Sequence, residues 1–350
     1  MSAHVSNITT PRGEYMLSRE GCSKVVISHD YNYTFDGDTG MFHRWGATID
    51  DDPSISPFGP EILDIEISVG GCNGGCSYCY KKNSTRKEKH MNLVTFTSIL
   101  EKMPQLLTQI AIGITNLESN PDLPSMLRAT RDMGIVPNLT TANADPKTVA
   151  LIAPLLGAVA VSRNHNNKKM WADAIVQFYV CGTKQVNTHV VVSDETYDLV
   201  HVTIDNIVSN LSVKHCLNAI VFLSLKPKGS AADMDMPERW MFEEFIKRCE
   251  EHNIGFGFDS CSAPTVERIN EKWLPYMERC ESTLFSAYIN VDGMFFPCSF
   301  TEGEYGWKEG LSVLDEEDFL RDVWYNEKTD LWRGYLLSNK RNCPSFDLDD

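Results

Sequence analysis

Between Leu63 and Phe258 the chain alternates a short apolar strand with a helix, six times over, through short connections. Leu63, Ile65, Ile67 and Val69 alternate with polar residues and read as a strand that ends at Gly70-Gly71. The same patterning predicts further strands over 109–115, 135–141, 158–162, 185–192 and 219–225. Helices are expected over 92–107, from Pro124 to Gly134, after Asp145-Pro146, over 168–180 and 195–208, and from Pro237 to His252. Strands that each feed a helix are parallel, because the connection must return across the sheet. The segment is therefore an α/β parallel sheet, open or partly closed into a barrel.

The flanks lack this rhythm. Residues 1–60 carry weak periodicity and turn signals such as Asp36-Gly37-Asp38, which suggests an amino-terminal extension of short strands. After Phe258, Asp292-Gly293 sits between two apolar runs, a strong hairpin signal, and 259–350 reads as a small appended module. The expected division is 1–60, 61–258 and 259–350.

Eleven cysteines decide the chemistry. The count is odd and the amino terminus has no apolar signal core, so a secreted disulfide framework is not expected and a reducing, cytoplasmic setting is. No run approaches the roughly 18 apolar residues of a membrane span. With 32 Lys and Arg against 48 Asp and Glu the net charge is −16, which disfavours a nucleic-acid polymer as partner.

Cys72, Cys76 and Cys79 lie in a C-x3-C-x2-C loop directly after the first strand of the repeat. Active sites of parallel α/β folds gather at the carboxyl ends of the strands. Flanking and intervening glycines let this loop turn around a compact object. Three thiolates from one loop can hold three irons of a [4Fe–4S] cubane and leave the fourth open to a small chelator. Zinc needs a fourth protein ligand, for which His90 is the nearest candidate, and buried core thiols are the third reading.

At these residues the sequence resembles the radical S-adenosylmethionine (radical SAM) superfamily, whose motif is this triplet with an aromatic residue, here Tyr78, before the last cysteine. The resemblance implies a partial (β/α)6 barrel and a cluster whose open iron is chelated by SAM. An electron from the cluster would cleave SAM to methionine and a 5′-deoxyadenosyl radical that takes hydrogen from a substrate. It also implies an electron donor such as flavodoxin or ferredoxin. Gly113, Glu118 and Pro121-Asp122 resemble a degraded second-strand segment that receives the SAM amino group. Asn143, in Thr140-Thr141-Ala142-Asn143, resembles the third-strand end, and Ser162 resembles a fourth-strand polar contact. Arg163 suits bidentate pairing with the SAM carboxylate. Each has a bland counterpart: loop carboxylate, turn former, strand-end hydroxyl or surface ion-pair residue. His189 reads equally as a core histidine.

Cys261, Cys280, Cys298 and Cys343 fall in the carboxy-terminal segment, with Cys298 just after the hairpin. This resembles a SPASM or twitch extension, and four cysteines would satisfy one auxiliary [4Fe–4S] cluster. Cys22, Cys181, Cys216 and Cys249 lack ligand spacing and read as structural. The expected function is a radical SAM oxidoreductase acting on a peptide or protein side chain. The alternatives are a nucleotide or other small-molecule substrate, or a non-catalytic iron–sulfur protein. No general acid–base pair stands out; Lys226 and Asp259, at strand ends, are candidates facing the cavity.

Overall fold

The structure, a computed structural model, describes residues 4–270, 272–273, 277–304 and 306–344. Its first five strands form an antiparallel meander: β1 (His4–Thr10), β2 (Gly13–Glu20), β3 (Ser23–Ile27), β4 (Asn32–Phe35) and β5 (Phe42–Trp45). One face buries Tyr15, Leu17, Val26, Tyr33 and Phe35.

The repeat follows as β6 (Ile62–Glu66), a small pair β7 (Ser68–Val69) and β8 (Lys89–His90), and α1 (Leu93–Lys102). Next come β9 (Gln109–Gly113), α2 (Leu123–Asp132), β10 (Val136–Thr141), α3 (Pro146–Ile152), β11 (Ala158–Ser162) and α4 (Lys168–Val180). Then follow β12 (Gln185–Val192), α5 (Tyr197–Ser209), α6 (Leu211–Cys216), β13 (Ala219–Ser224), α7 (Arg239–Glu251), β14 (Phe256–Phe258) and α8 (Ala263–Glu267). The chain closes with β15 (Ser286–Ile289), β16 (Met294–Phe296), β17 (Leu311–Ser312) and α9 (Glu327–Ser338).

The six expected strand–helix units are present, and β14 adds a further parallel strand. One helix is shorter than its periodicity suggested. α1 ends at Lys102, because Pro104 forces Met103 to an extended backbone (ψ 148°). The main sheet has ten strands in the order β14-β13-β12-β11-β10-β9-β6-β15-β16-β17. The hairpin region is thus no separate layer: β15 pairs in parallel with β6, and β16 and β17 continue antiparallel. Among the described residues no ladder joins β14 to β17, so the barrel is partial.

Alternation along β6 sorts the two faces. Leu63 and Ile65 are fully buried against the helices, while Ile62, Asp64 and Glu66 face the concave side. The amino-terminal meander lies across the opposite end from the cysteine loop, at the starts of the strands. Lys24 Nζ donates to the carbonyls of Gln105 (2.9 Å) and Leu107, and Tyr33 donates to that of Leu106, all just before β9. Arg19 reaches the Met133 carbonyl at 3.0 Å before β10, and Gln185 Nε2 at the start of β12 donates to the Thr39 carbonyl at 2.6 Å. Arg44 pairs with Glu61 at 2.8 Å, directly before β6. These contacts make the meander a floor under the barrel. No helix of the described residues is long and apolar enough to cross a membrane.

Candidate functional site

The cysteine loop leaves β7 through Gly70, whose backbone is left-handed (φ 72°). A Cβ there would lie 2.5 Å from the Lys87 backbone, so only glycine fits. The loop then lies over the carboxyl ends of the parallel strands and is tied to four of them. After β9, Asn116 accepts from Asn73 N (3.2 Å) and donates to the Gly71 carbonyl (2.9 Å). After β11, Tyr78 OH donates to the Arg163 carbonyl (3.4 Å) and Asn166 Nδ2 to that of Gly74 (3.5 Å). Glu195, after β12, accepts from Ser77 Oγ, and Ser230 N, after β13, donates to the Cys79 carbonyl (2.9 Å).

The three sulfurs are gathered by this tethering. A Cβ on Gly74 would sit 3.4 Å from Cys72 Sγ and 3.6 Å from Cys76 Sγ, so the missing side chain keeps a cradle open between two thiols. Burial pushes the Cys76 thiol up to about 11. The Tyr78 hydroxyl pulls it down, and the neighbouring Cys79 and Cys72 push it further up. His90 faces Ser68 (2.9 Å) and Glu88 (3.2 Å), which disfavours the zinc reading. Among the described residues no three His, Cys, Asp or Glu side chains close around a single ion.

The expected SAM contacts lie around the same mouth. Gly113 ends β9 and hands its carbonyl to Ile67 N (2.9 Å). Glu118 is exposed and accepts from Asn143 Nδ2 (3.3 Å), while Asn143 Oδ1 accepts from Leu117 N (2.9 Å). The ends of β9 and β10 are thus brought together. Ser162 is half-buried, with its carbonyl bonded to Asn167 Nδ2 (2.8 Å). Arg163 is buried and turned toward the start of α4. It donates to Asn167 Oδ1 (3.1 Å) and the Asn164 carbonyl, and lies over the Trp171 ring (5.6 Å). Its Nε is buried without a hydrogen-bond partner.

The second set assembles from four separate places: Cys261 after β14, Cys280 before β15, Cys298 after β16 and Cys343 after α9. Burial raises the Cys298 thiol to about 12 and the Cys280 thiol to about 11, and Cys261 rises well above its usual range. Cys280 and Cys343 both contribute to the rise at Cys298 and at Cys261, so these thiols lie near enough to influence one another. The amides of Phe300 and Thr301 donate toward Cys298, and Ser282 toward Cys280. N–H···S contacts of this kind stabilise thiolate ligands. Lys226, buried, pairs with Asp259 beside Cys261. Burial alone would lower its pKa, but the Asp259 carboxylate and Cys261 reverse this and hold the ammonium charged. The expected cavity-facing pair is therefore an ion pair committed to the second cysteine set. His189 is half-buried on β12 and held neutral, its pKa lowered to about 4 by desolvation.

Sequence reading missed the groups that join the two sets. Tyr80, next to Cys79, stacks on Phe300 (4.3 Å between centroids). Lys81 Nζ lies 3.5 Å from Glu66 and 2.7 Å from Tyr288 OH, and contacts Glu302. Only the adjacency of Tyr80 and Lys81 to the triplet signalled them. None of the eleven cysteines is disulfide-bonded.

Neither a protein-family model nor a curated protein sequence matches the chain. Solved structures do match. Streptococcus suis SuiB bound to the precursor peptide SuiA shares 16% identity at TM-score 0.61, over 78% of this chain and 66% of SuiB. SuiB bound to S-adenosylmethionine matches at 16% identity and TM-score 0.60, over 77% of this chain and 66% of SuiB. The protein anSMEcpe with bound AdoMet and a Cp18Cys peptide matches at 15% and 0.53, over 77% of this chain and 82% of its own. This chain thus spans about two thirds of the length of SuiB. What is shared at these identities is the fold, and it is the partial barrel expected from the sequence.

Proposed function

We propose that this chain is a radical SAM enzyme that abstracts hydrogen from a peptide or protein side chain. The carrying observation is the cradle at Gly74, between the Cys72 and Cys76 thiols of the triplet, over the strand ends of a fold shared with proteins solved with SAM bound. Cys72, Cys76 and Cys79 would hold a [4Fe–4S] cluster, and Cys261, Cys280, Cys298 and Cys343 an auxiliary one. When bound, the first cluster supplies the electron that cleaves SAM to methionine and a 5′-deoxyadenosyl radical.

The chain's own residues position and shield. The tethers from Asn116, Asn166, Glu195 and Ser230 fix the loop, so the cysteines are held before any ligand arrives. The carboxylate of Glu118, oriented by Asn143, is a natural receiver for the SAM ammonium. Ser162, at the end of β11, is the remaining candidate for the SAM carboxylate, since Arg163 is drawn toward α4 by Asn167 and Trp171. Tyr78 covers the loop from one flank and the Tyr80–Phe300 pair from the other. A peptide substrate is favoured over a nucleotide by the peptides bound in SuiB and anSMEcpe. Electrons would come from a flavodoxin or ferredoxin in a reducing cytoplasm.

Anaerobically reconstituted protein given dithionite and SAM should release 5′-deoxyadenosine. A preparation with its clusters fully loaded that yields none would overturn the proposal and leave an iron–sulfur protein without this catalysis.

A further inference from the structure

The concave face of the barrel carries few charges, and nearly all are internally matched. Glu66 is paired with Lys81 and bonded to Tyr288 OH at 3.0 Å. Glu302 takes the other side of Lys81 and accepts from Asn290 at 3.0 Å. Lys226 is matched by Asp259, and Lys228 donates to the Phe300 and Glu302 carbonyls.

Asp64 is the exception. It sits in mid-β6, flanked in register by Ala111 of β9 and Tyr288 of β15. Leu63 and Ile65 point to the helices, so the Asp64 side chain points into the chamber. It stays reachable by solvent although its strand is central in the ten-stranded sheet. Among the described residues its carboxylate has neither a hydrogen bond nor an ion pair. Ala111 leaves space beside it, and the neighbouring Tyr288 spends its hydroxyl on Glu66 and Lys81. Two residues further along β6, about 7 Å away, Glu66 lies at the level of Gly113 and the candidate SAM contacts. Tyr80, between the two cysteine sets, is close enough for Asp64 to influence its hydroxyl.

A carboxylate on the concave face that opens to solvent but has protein packed around it and no partner is held less readily in its charged form; the surrounding protein lifts its pKa to about 6. A cation entering the chamber would relieve that cost. We infer that Asp64 is the anchor for a cationic group of the substrate, an ammonium or guanidinium on a basic peptide side chain, held between the two cysteine sets. This rests on the radical SAM reading and narrows its substrate class.

The test is equilibrium dialysis of the reconstituted enzyme, with SAM, against acetyl-Gly-Gly-Lys-Gly-Gly-amide and its uncharged norleucine counterpart. The lysine peptide should bind about tenfold more tightly. The preference should fall to about onefold in Asp64→Asn and return in part in Asp64→Glu. Ala111→Lys, which sets an internal ammonium beside an intact Asp64, should also abolish it, so the test does not hang on one variant. No preference in the wild type, or one that persists in Asp64→Asn, overturns the inference. The same wild-type preparation is assayed for 5′-deoxyadenosine. Product without charge preference sinks this inference and leaves the proposed function standing, whereas absence of product overturns the proposed function whatever the peptides show.

Discussion

Tyr80 and Phe300 stack with ring centroids 4.3 Å apart and planes inclined by 31°, and Tyr80 OH donates to Ser299 Oγ at 3.2 Å. Tyr80 follows Cys79, and Ser299-Phe300 follows Cys298, so one aromatic contact locks a ligand loop of each cysteine set to the other. Gly229 closes the arrangement from below, since a Cβ there would meet the Tyr80 carbonyl at 2.2 Å.

Truncating this contact should loosen the metal-free fold measurably. Phe300→Ala removes a half-buried ring and its stacking, at a cost of about 2 kcal/mol. Tyr80→Phe keeps the stack and loses one hydrogen bond, about 1 kcal/mol. Urea denaturation of the apoprotein reads both. A Phe300→Ala variant as stable as the wild type would show that the two loops are held independently.

Gly74→Ala separates folding from metal loading. The residue's backbone is outside the left-handed region, and the added Cβ makes only ordinary contacts at 3.4 and 3.6 Å with the Cys72 and Cys76 sulfurs. Apoprotein stability should therefore change by less than about 1 kcal/mol. The methyl group would fill the cradle between the thiols, so iron retained at the triplet after reconstitution should drop by more than half. Full iron content in this variant would mean that the cluster sits elsewhere.

These contrasts also mark what sequence could and could not reveal. α4, β11 and β12 were legible to the residue, because each is a single uninterrupted period closed by a local signal such as Gly182. The triplet was legible because its ligands share one loop. The placement of residues 1–60 was not, since Lys24 meets Leu107 and Arg44 meets Glu281 across long stretches of chain. The side-chain direction of Arg163 was hidden for a similar reason. Its position after β11 suggested the SAM carboxylate, whereas Asn167 and Trp171 draw the guanidinium toward α4. Asp64 looked like one more polar residue in an alternating strand; only the parallel neighbours Ala111 and Tyr288 show that it is left unmatched.

The buried pair under the barrel gives a pH signature. Burial raises Glu61 to about 7, against the pull of Arg44 and a hydrogen bond from Tyr31. A carboxyl whose folded pKa exceeds its unfolded value binds more protons when folded. Its contribution therefore favours the fold at low pH and is lost as pH rises from about 4.5 through 7. Arg44 limits that loss. Arg44→Met should cost about 3–5 kcal/mol at pH 8 and much less near pH 5, where Glu61 takes up a proton. Chemical denaturation at the two pH values checks it. An equal penalty at both would mean that Glu61 is not the group left uncompensated.

Iron content distinguishes one cluster from two, and the two cysteine sets should respond independently. The triplet sits on a single tethered loop, whereas the second set draws on four elements around β14, β15, β16 and α9. Replacing Cys72, Cys76 and Cys79 by alanine leaves all four of those elements intact. Iron per chain should fall from about eight to about four, with SAM no longer cleaved. Replacing Cys261, Cys280, Cys298 and Cys343 should give the same four irons, now at the triplet. 5′-Deoxyadenosine formation should survive, because Asn116, Asn166, Glu195 and Ser230 still hold that loop. A triplet variant with no residual iron would remove the auxiliary cluster from the proposal. A wild type holding only four would do the same, and would return Cys261, Cys280, Cys298 and Cys343 to the role of buried core thiols.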